Sequence, residues 1–200
     1  VLTRNQALIA GRAGRGIEVV VVAARNLARA EGVVGADIAL TNDPMQVATH
    51  PKVDVVVEAA GGTGPAREWV LAAIAAGKHV VTANKALLAV HGSESLAAAR
   101  AQGVAVAYEG AVAVSIPIVK ALREGLTANR IEWVAGIING TTNFILSKMR
   151  DEDVNFAQAL AQAQALGYAE ADPTFDIEGI DAAHKITLLA ANAFGMPVRF

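Results

Sequence analysis

Along the first half of the chain, runs of β-branched residues alternate with Ala-rich stretches of helical periodicity. Ile17-Glu-Val-Val-Val-Val-Ala-Ala24 is an almost unbroken apolar run. A strand apolar on both faces belongs to a parallel sheet covered by helices. Val53 to Glu58 and His79 to Thr82 read as further strands, and Val104 to Tyr108 closes the series. Between them, Pro65 to Gly77 reads as a helix with Pro in its first turn, and Lys85 to Gln102 as a mostly helical stretch. Residues 1–10 read as a helix already under way at Val1 and ending at Gly11 and Gly14. Strands and helices in strict alternation, joined by short loops, predict a doubly wound α/β unit.

Beyond Tyr108 the alternation stops. Ile116 to Leu126 predicts a helix, and Ile131-Glu-Trp-Val-Ala-Gly-Ile-Ile138 a strand. Thr141 to Arg150, Phe156 to Leu166 and Ile177 to Ala193 predict three more helices. The pattern therefore divides the chain into residues 1–109, a parallel-sheet domain, and residues 110–200, an α+β domain. No internal repeat or low-complexity tract interrupts either half.

Composition narrows the function classes. Seventeen Lys+Arg against 19 Asp+Glu leave a net charge of −2, with no basic stripe to neutralise a run of phosphates, so a nucleic-acid partner is not expected. With 54 % hydrophobic and 18 % charged residues, the chain can fill a core. No uncharged run approaches the ~20 apolar residues of a membrane helix. Zero Cys removes disulfides, thiol nucleophiles and thiolate metal sites from consideration. The four His residues show no paired ligand spacing, so a transition-metal site is not expected. With no signal segment at the start, the expected location is cytoplasmic.

In an open parallel sheet a ligand binds beyond the carboxyl ends of the strands. The strand ending at Glu58 runs into Ala59-Ala-Gly-Gly-Thr-Gly-Pro65, where Gly61 and Gly62 let backbone approach a ligand ahead of a helix N-terminus. The strand ending at Thr82 runs into Ala83-Asn84-Lys85. Lys85 opposes the dipole of the helix it opens, so either a ligand keeps it there or it is a solvated residue beside an ordinary Asn84 cap. Arg25 ends the first strand, where an acidic residue would suit the ribose hydroxyl of NAD and an Arg suits the 2′-phosphate of NADP. The glycine fingerprint itself is absent: Gly11-Arg-Ala-Gly-Arg-Gly16 precedes a strand instead of following one. If residues 1–10 are a crossover helix, a first strand and its glycine turn are expected immediately upstream.

The second half carries one dense polar cluster. Gly167 to Lys185 holds five acidic residues and one Lys in 19 positions. Asp172-Pro173 signals a turn, and Asp176 is placed to cap the helix that follows. Asp181 and Lys185, four apart, share a helix face, and the helix continues as an almost wholly apolar run. A surface pair there would contribute only ~0.3–0.5 kcal/mol. A Lys entering a buried helix beside carboxylates has instead the setting in which proton transfer is tuned. His184 reads as a packing residue.

Taken together, Val80-Val-Thr-Ala-Asn-Lys85, Tyr108-Glu109, Gly136-Ile-Ile-Asn-Gly-Thr-Thr-Asn-Phe144 and Gly167-Tyr-Ala-Glu-Ala-Asp-Pro to Lys185 resemble the homoserine dehydrogenase family. The last string matches the family's long spaced signature, and the likeness runs from about residue 1 to 200. The resemblance implies a Rossmann-like nucleotide domain followed by a catalytic and dimerisation domain. It also implies a reversible, NAD(P)-dependent interconversion of L-aspartate 4-semialdehyde and L-homoserine in threonine, methionine and isoleucine biosynthesis. Lys185 matches the family's catalytic Lys, Asp181 the Asp that accompanies it, and Lys85 the Lys at the junction of nicotinamide and substrate. Glu170 and Asp176 match carboxylates that bind the amino acid. Arg25, Gly61, Gly62 and Thr82, with Lys85, fall in the cofactor cleft. Glu109 and the carbonyls of Val112, Val114 and Ile116 match a monovalent cation site (Na+). The family is dimeric, and Ile131 to Ile138 is apolar enough to be an interface strand.

One departure from the family pattern stands out: Val114 and Ser115 occupy positions that are usually Gly-Gly, and a positive φ at either would be strained. Two other readings fit the same residues. The chain could be another two-domain dehydrogenase of small oxo or hydroxy acids, which turnover of aspartate semialdehyde would separate. Without a glycine turn it could instead be a non-catalytic binding piece, which its NADPH affinity would decide.

Overall fold

Parallel pairing is the outcome for every β-branched run that forms a strand. In a computed structural model describing residues 1–200, β1 (Val21–Ala23) pairs with β2 (Ala39–Thr41), and β3 (Val55–Glu58), β4 (His79–Thr82) and β5 (Val106–Ala107) form a second sheet in that order. The helices of this half are α1 (Gln6–Ala13), α2 (Leu27–Glu31), α3 (Pro44–Thr49), α4 (Pro65–Ala75) and α5 (Lys85–Gln102). Then come α6 (Glu109–Val112) and α7 (Ile118–Lys120), the latter continuing as a π-helical turn over Ala121–Gly125. The remainder is helical: α8 (Gly140–Glu152), α9 (Phe156–Ala165), α10 (Thr174–Ile177) and α11 (Ile180–Phe194). The α/β class with a parallel sheet is therefore as the pattern predicts. No helix is long and apolar enough to cross a membrane.

One core of 18 buried residues joins the sheet to the second half. Val56 and Val80 from the strands, Val70 and Ile74 from α4 and Leu87 and Leu88 from α5 meet Val119, Leu188 and Leu189 within it. Each Leu that α11 buries against α5 contributes about 1.5–3 kcal/mol, so the contact that carries Lys185 toward Lys85 is anchored by apolar packing. The expected boundary at residues 109/110 falls inside α6, after its first residue, and this core runs across it. A separate small cluster of Ile145, Ala159, Ala163 and Ala169 holds α8 against α9.

Several expected elements differ. The strand expected at 17–24 keeps only Val21–Ala23, because pairing extends no further than the three residues of β2. Three elements between residues 26 and 49 went unread, although Asn26 caps α2 by accepting from Arg29 N–H (3.0 Å), and Asp43 caps α3 ahead of Pro44. The helix expected at 116–126 starts later, after Pro117, and relaxes into the π turn. The strand expected at 131–138 is not formed, since no other strand lies beside it to complete a ladder. Val134 packs against the core, but Trp133 and Ile137 are left open, at 74 % and 82 % exposure. The helix expected from Ile177 is broken at Gly179 (φ +75°), so α11 begins at Ile180. Asp176 consequently caps nothing: it lies inside α10, whose first turn is closed by Asp172 accepting from Thr174 N–H (3.1 Å) and Oγ1 (2.6 Å).

Candidate active site

The carboxyl ends of β3 and β4 lie side by side, with Glu58 and Thr82 in register. Both side chains are buried. The Glu58 carboxylate accepts from the backbone N–H groups of Ala60 (2.8 Å) and Gly61 (3.0 Å) through one oxygen, and from Thr82 Oγ1 (2.7 Å) through the other. Thr82 Oγ1 in turn accepts from Asn84 N–H (3.0 Å). Asn84 is the expected cap of α5, accepting from Leu87 N–H (3.1 Å), and its amide also donates to the Gly62 carbonyl (2.7 Å). One buried network therefore ties the glycine loop to the start of α5. Gly61 (φ +80°) and Gly62 (φ +78°) are consecutive left-handed positions with nothing within 4 Å of where a side chain would begin. Exposed backbone ahead of the α4 N-terminus fits the phosphate-bearing end of a dinucleotide.

Lys85 is the first residue of α5, and its Nζ lies 3.0 Å from Asp181 Oδ1 on α11. The carboxylate answers the question raised by a cation at a helix N-terminus. Asp181 is itself buried, and its Oδ2 accepts from Lys185 Nζ (2.6 Å) and Asn139 Nδ2 (2.9 Å). Lys185 Nζ also donates to the Ile138 carbonyl (2.7 Å), and its side chain is only 18 % exposed. Asp181 and Lys185 are thus no surface pair. Asp176 joins through Asn139, whose Nδ2 donates to its Oδ1 (2.7 Å). Burial by itself would raise the Asp181 carboxyl, but hydrogen bonds from Lys185, Asn139 and Lys85 outweigh it and hold the group below the usual carboxylate range. His184 is buried with its Nδ1 unpartnered and its ring edge-on to Phe175 (5.4 Å) and Phe200 (4.3 Å). Desolvation, with Lys85 adding to it and Asp181 opposing, pulls its pKa below the ordinary value.

Lys85, Asp181, Lys185 and Asp176 therefore converge on one spot, and Thr82, Gly61 and Gly62 adjoin it through the Glu58 and Asn84 network. Glu170 is exposed, and its side chain makes no hydrogen bond or ion pair with that cluster. Arg25 is exposed just past β1, before the Asn26 cap. The Glu109 carboxylate accepts from Val119 and Lys120 N–H (2.9 Å each), so it caps α7. The Ile116 carbonyl accepts from Ile118 N–H (2.8 Å), Val112 is buried and Val114 is exposed. Ser115 sits at φ +71°, the strained geometry expected for one of these two positions, while Val114 does not.

Three contributors had no role assigned from sequence: Glu58, the Ile138 carbonyl and Asn139. Glu58 carried a readable signal, a lone acid ending a Val run at a strand's carboxyl end. Asn139 ahead of Gly-Thr-Thr is a helix-capping signature.

Two family models match the chain. A family model described as "Homoserine dehydrogenase, NAD binding domain" matches residues 2–109, and one described as "Homoserine dehydrogenase" matches residues 117–200. A homoserine dehydrogenase of Pseudomonas aeruginosa is 62 % identical over 200 residues, covering all of this chain and 46 % of that protein. One of Methylobacillus glycogenes is 56 % identical over 96 % of this chain and 46 % of its own. The crystal structure of a homoserine dehydrogenase from Thiobacillus denitrificans superposes with a TM-score of 0.94 at 63 % identity, covering 98 % of this chain and 46 % of that one. A hyperthermophilic archaeal homoserine dehydrogenase in complex with NADPH gives a TM-score of 0.83 at 26 % identity, over 96 % of this chain and 66 % of that one. The chain thus spans about half the length of the curated relatives it matches.

Proposed function

The chain belongs to the homoserine dehydrogenase family, and from that premise we propose that its converging Lys85, Asp181 and Lys185 serve the reversible, nicotinamide-dependent reduction of L-aspartate 4-semialdehyde to L-homoserine. The observation that carries the reading is one buried carboxylate holding two ammonium groups, one from α5 and one from α11. A nicotinamide cofactor, when bound, supplies the hydride that reaches the aldehyde carbon. Lys185 then gives its proton to the C4 oxygen as charge develops there, and takes it back in the oxidation direction. Asp181 stabilises the protonated Lys185 and aims it. Lys85 orients the substrate and offsets the developing alkoxide charge. Asp176 and Glu170 receive the substrate's ammonium group, Asp176 held in place and Glu170 free to turn inward. Gly61, Gly62 and Thr82 line the cofactor cleft, and Glu58 shapes it by gripping the loop.

Finer assignments rest on single features. Arg25, exposed past β1, favours the 2′-phosphate of NADP over NAD. Glu109, with the carbonyls of Val112, Val114 and Ile116, supplies hard oxygen donors suited to a monovalent cation such as Na+, the carboxylate keeping lone pairs beyond its two capping bonds. Exposed Trp133 and Ile137 favour residues 131–138 as a homodimer contact. The product feeds threonine, methionine and isoleucine synthesis in the cytoplasm.

The test is a spectrophotometric assay of the full-length enzyme with L-aspartate 4-semialdehyde and NADPH or NADH. Turnover is expected, with NADPH preferred, and Lys185→Ala should lower kcat by about 10²–10⁴-fold. No oxidation of either cofactor, or an undiminished Lys185→Ala rate, would overturn the reading.

A further inference from the structure

Between the two acidic side chains nearest Lys185 stands a residue with no chemistry of its own. Asn139 is buried, and all four of its side-chain hydrogen bonds are made. Its Oδ1 accepts from Thr142 N–H (2.8 Å) and Thr142 Oγ1 (2.9 Å), as the N-cap of α8. That pair of donors forbids the flipped amide, because a flipped NH2 would face an N–H. The NH2 must therefore point the other way, where one amide reaches Asp176 Oδ1 (2.7 Å) and Asp181 Oδ2 (2.9 Å). The preceding carbonyl, of Ile138, accepts from Lys185 Nζ (2.7 Å). Two consecutive residues thus hold the Lys and both acids.

Resting on the reading above, we propose that Asn139 is a positioning residue for this reaction: its amide, oriented by the α8 cap, holds the Asp176 and Asp181 carboxylates apart, so that Asp181 serves Lys185 while Asp176 remains for the substrate. Two carboxylates sharing a site normally raise one another's pKa. An NH2 placed between them donates a hydrogen bond to each. The other charged or titratable groups facing the pair are Lys85 from α5 and Lys185 and His184 from α11. The two lysines neutralise Asp181, whereas Asp176 makes no ion pair and depends on the amide.

The discriminating variant is Asn139→Asp in the full-length enzyme. Asp caps a helix as well as Asn does, so α8 keeps its start, while the donor becomes a third carboxylate. The expected result is a kcat lower by about 10–100-fold, an acid limb of the kcat/KM profile moved upward by about one pH unit, a raised KM for homoserine and an unchanged KM for NADPH. Asn139→Ser, which also caps, tests the same point should the third acid prevent folding. It should lower kcat per folded molecule and raise the homoserine KM, with any fall in melting temperature too small to unfold the enzyme at the assay temperature. Wild-type pH profiles and homoserine KM in both variants would overturn the proposal, as would losses confined to melting temperature and active fraction. If the unmodified enzyme fails to turn over the semialdehyde, the functional reading fails instead.

Discussion

The site has two walls, and each is built around a buried carboxylate. On the sheet side Glu58 is satisfied entirely by neutral donors: two backbone N–H groups and a hydroxyl. On the helical side Asp181 is satisfied by two ammonium groups and an amide. The donors show what each acid is for. Neutral donors from loop backbone turn Glu58 into a brace, whose removal leaves N–H groups unpaired and the glycine loop unheld. Cationic donors from different elements turn Asp181 into a charge balance, whose removal leaves two lysines repelling each other at one point. The first wall should therefore fail in binding and stability, the second in chemistry.

The largest effect tests the second wall. Asp181→Asn keeps the shape but removes the charge, and kcat should fall by about 10²–10⁴-fold with cofactor affinity near wild type. Stopped-flow rates alongside NADPH titration check this, and a variant losing NADPH binding in step with kcat would erase the distinction. Glu58→Ala tests the first wall. It leaves two N–H groups and a buried hydroxyl without an acceptor, a cost of about 1–3 kcal/mol in unfolding, with KM for NADPH raised more than kcat is lowered. Urea unfolding and a KM-against-kcat comparison read it. A Glu58→Ala enzyme that loses kcat alone would place that acid in the chemistry after all.

How much of this was legible beforehand depends on whether the cause is local. The α4 and α5 helices, with Pro65 and Asn84 at their starts, carry their own signals, and so do the Val runs of β3 and β4. Asp181 and Lys185 were legible because four-residue spacing on a helix places two side chains together wherever the helix lies. Glu58 and Asn139 carried local signals but not their roles, because Thr82 and Asp181 lie 24 and 42 residues from them and only the fold brings them near. Residues 131–138 misled for the same reason: alternating apolar residues describe a chain suited to a ladder, and pairing needs a neighbour. Between residues 26 and 49 the caps were present but the elements are short, at three to six residues, below what periodicity can register.

Acid should separate the walls further. Asp181 and His184 both have pKa values below their ordinary ones. The unfolded chain therefore takes up each proton first as pH falls, and the stability present above the ordinary pKa is lost below it. For His184 the loss begins as pH drops through about 6.5, and for Asp181 below about 4. A melting temperature that declines from pH 7.5 to pH 5, and declines less in His184→Gln, is the expected result. Equal slopes in the two proteins would remove His184 from the account.

The smallest expected effect lies between the walls, in the loop that follows Glu109. Ser115 adopts φ +71° and Val114 does not, although both positions are flagged alike from sequence. A left-handed conformation costs a side-chain-bearing residue about 1–2 kcal/mol, and glycine gives part of that back through its greater freedom when unfolded. Ser115→Gly should therefore stabilise by about 0.5–1 kcal/mol. Val114→Gly gains nothing from φ, and with the side chain 76 % exposed there is little packing to lose, so the added backbone freedom should destabilise slightly. The single variants consequently move in opposite directions, and the double variant falls between them. Because Glu109 caps α7 across this loop, relief of strain at Ser115 should reach the cap before it reaches either carboxylate. Melting temperature should then rise in Ser115→Gly while the pH profile of kcat/KM stays where it was. A shifted profile would mean that the loop, and not Asn139 alone, sets the spacing of the acids.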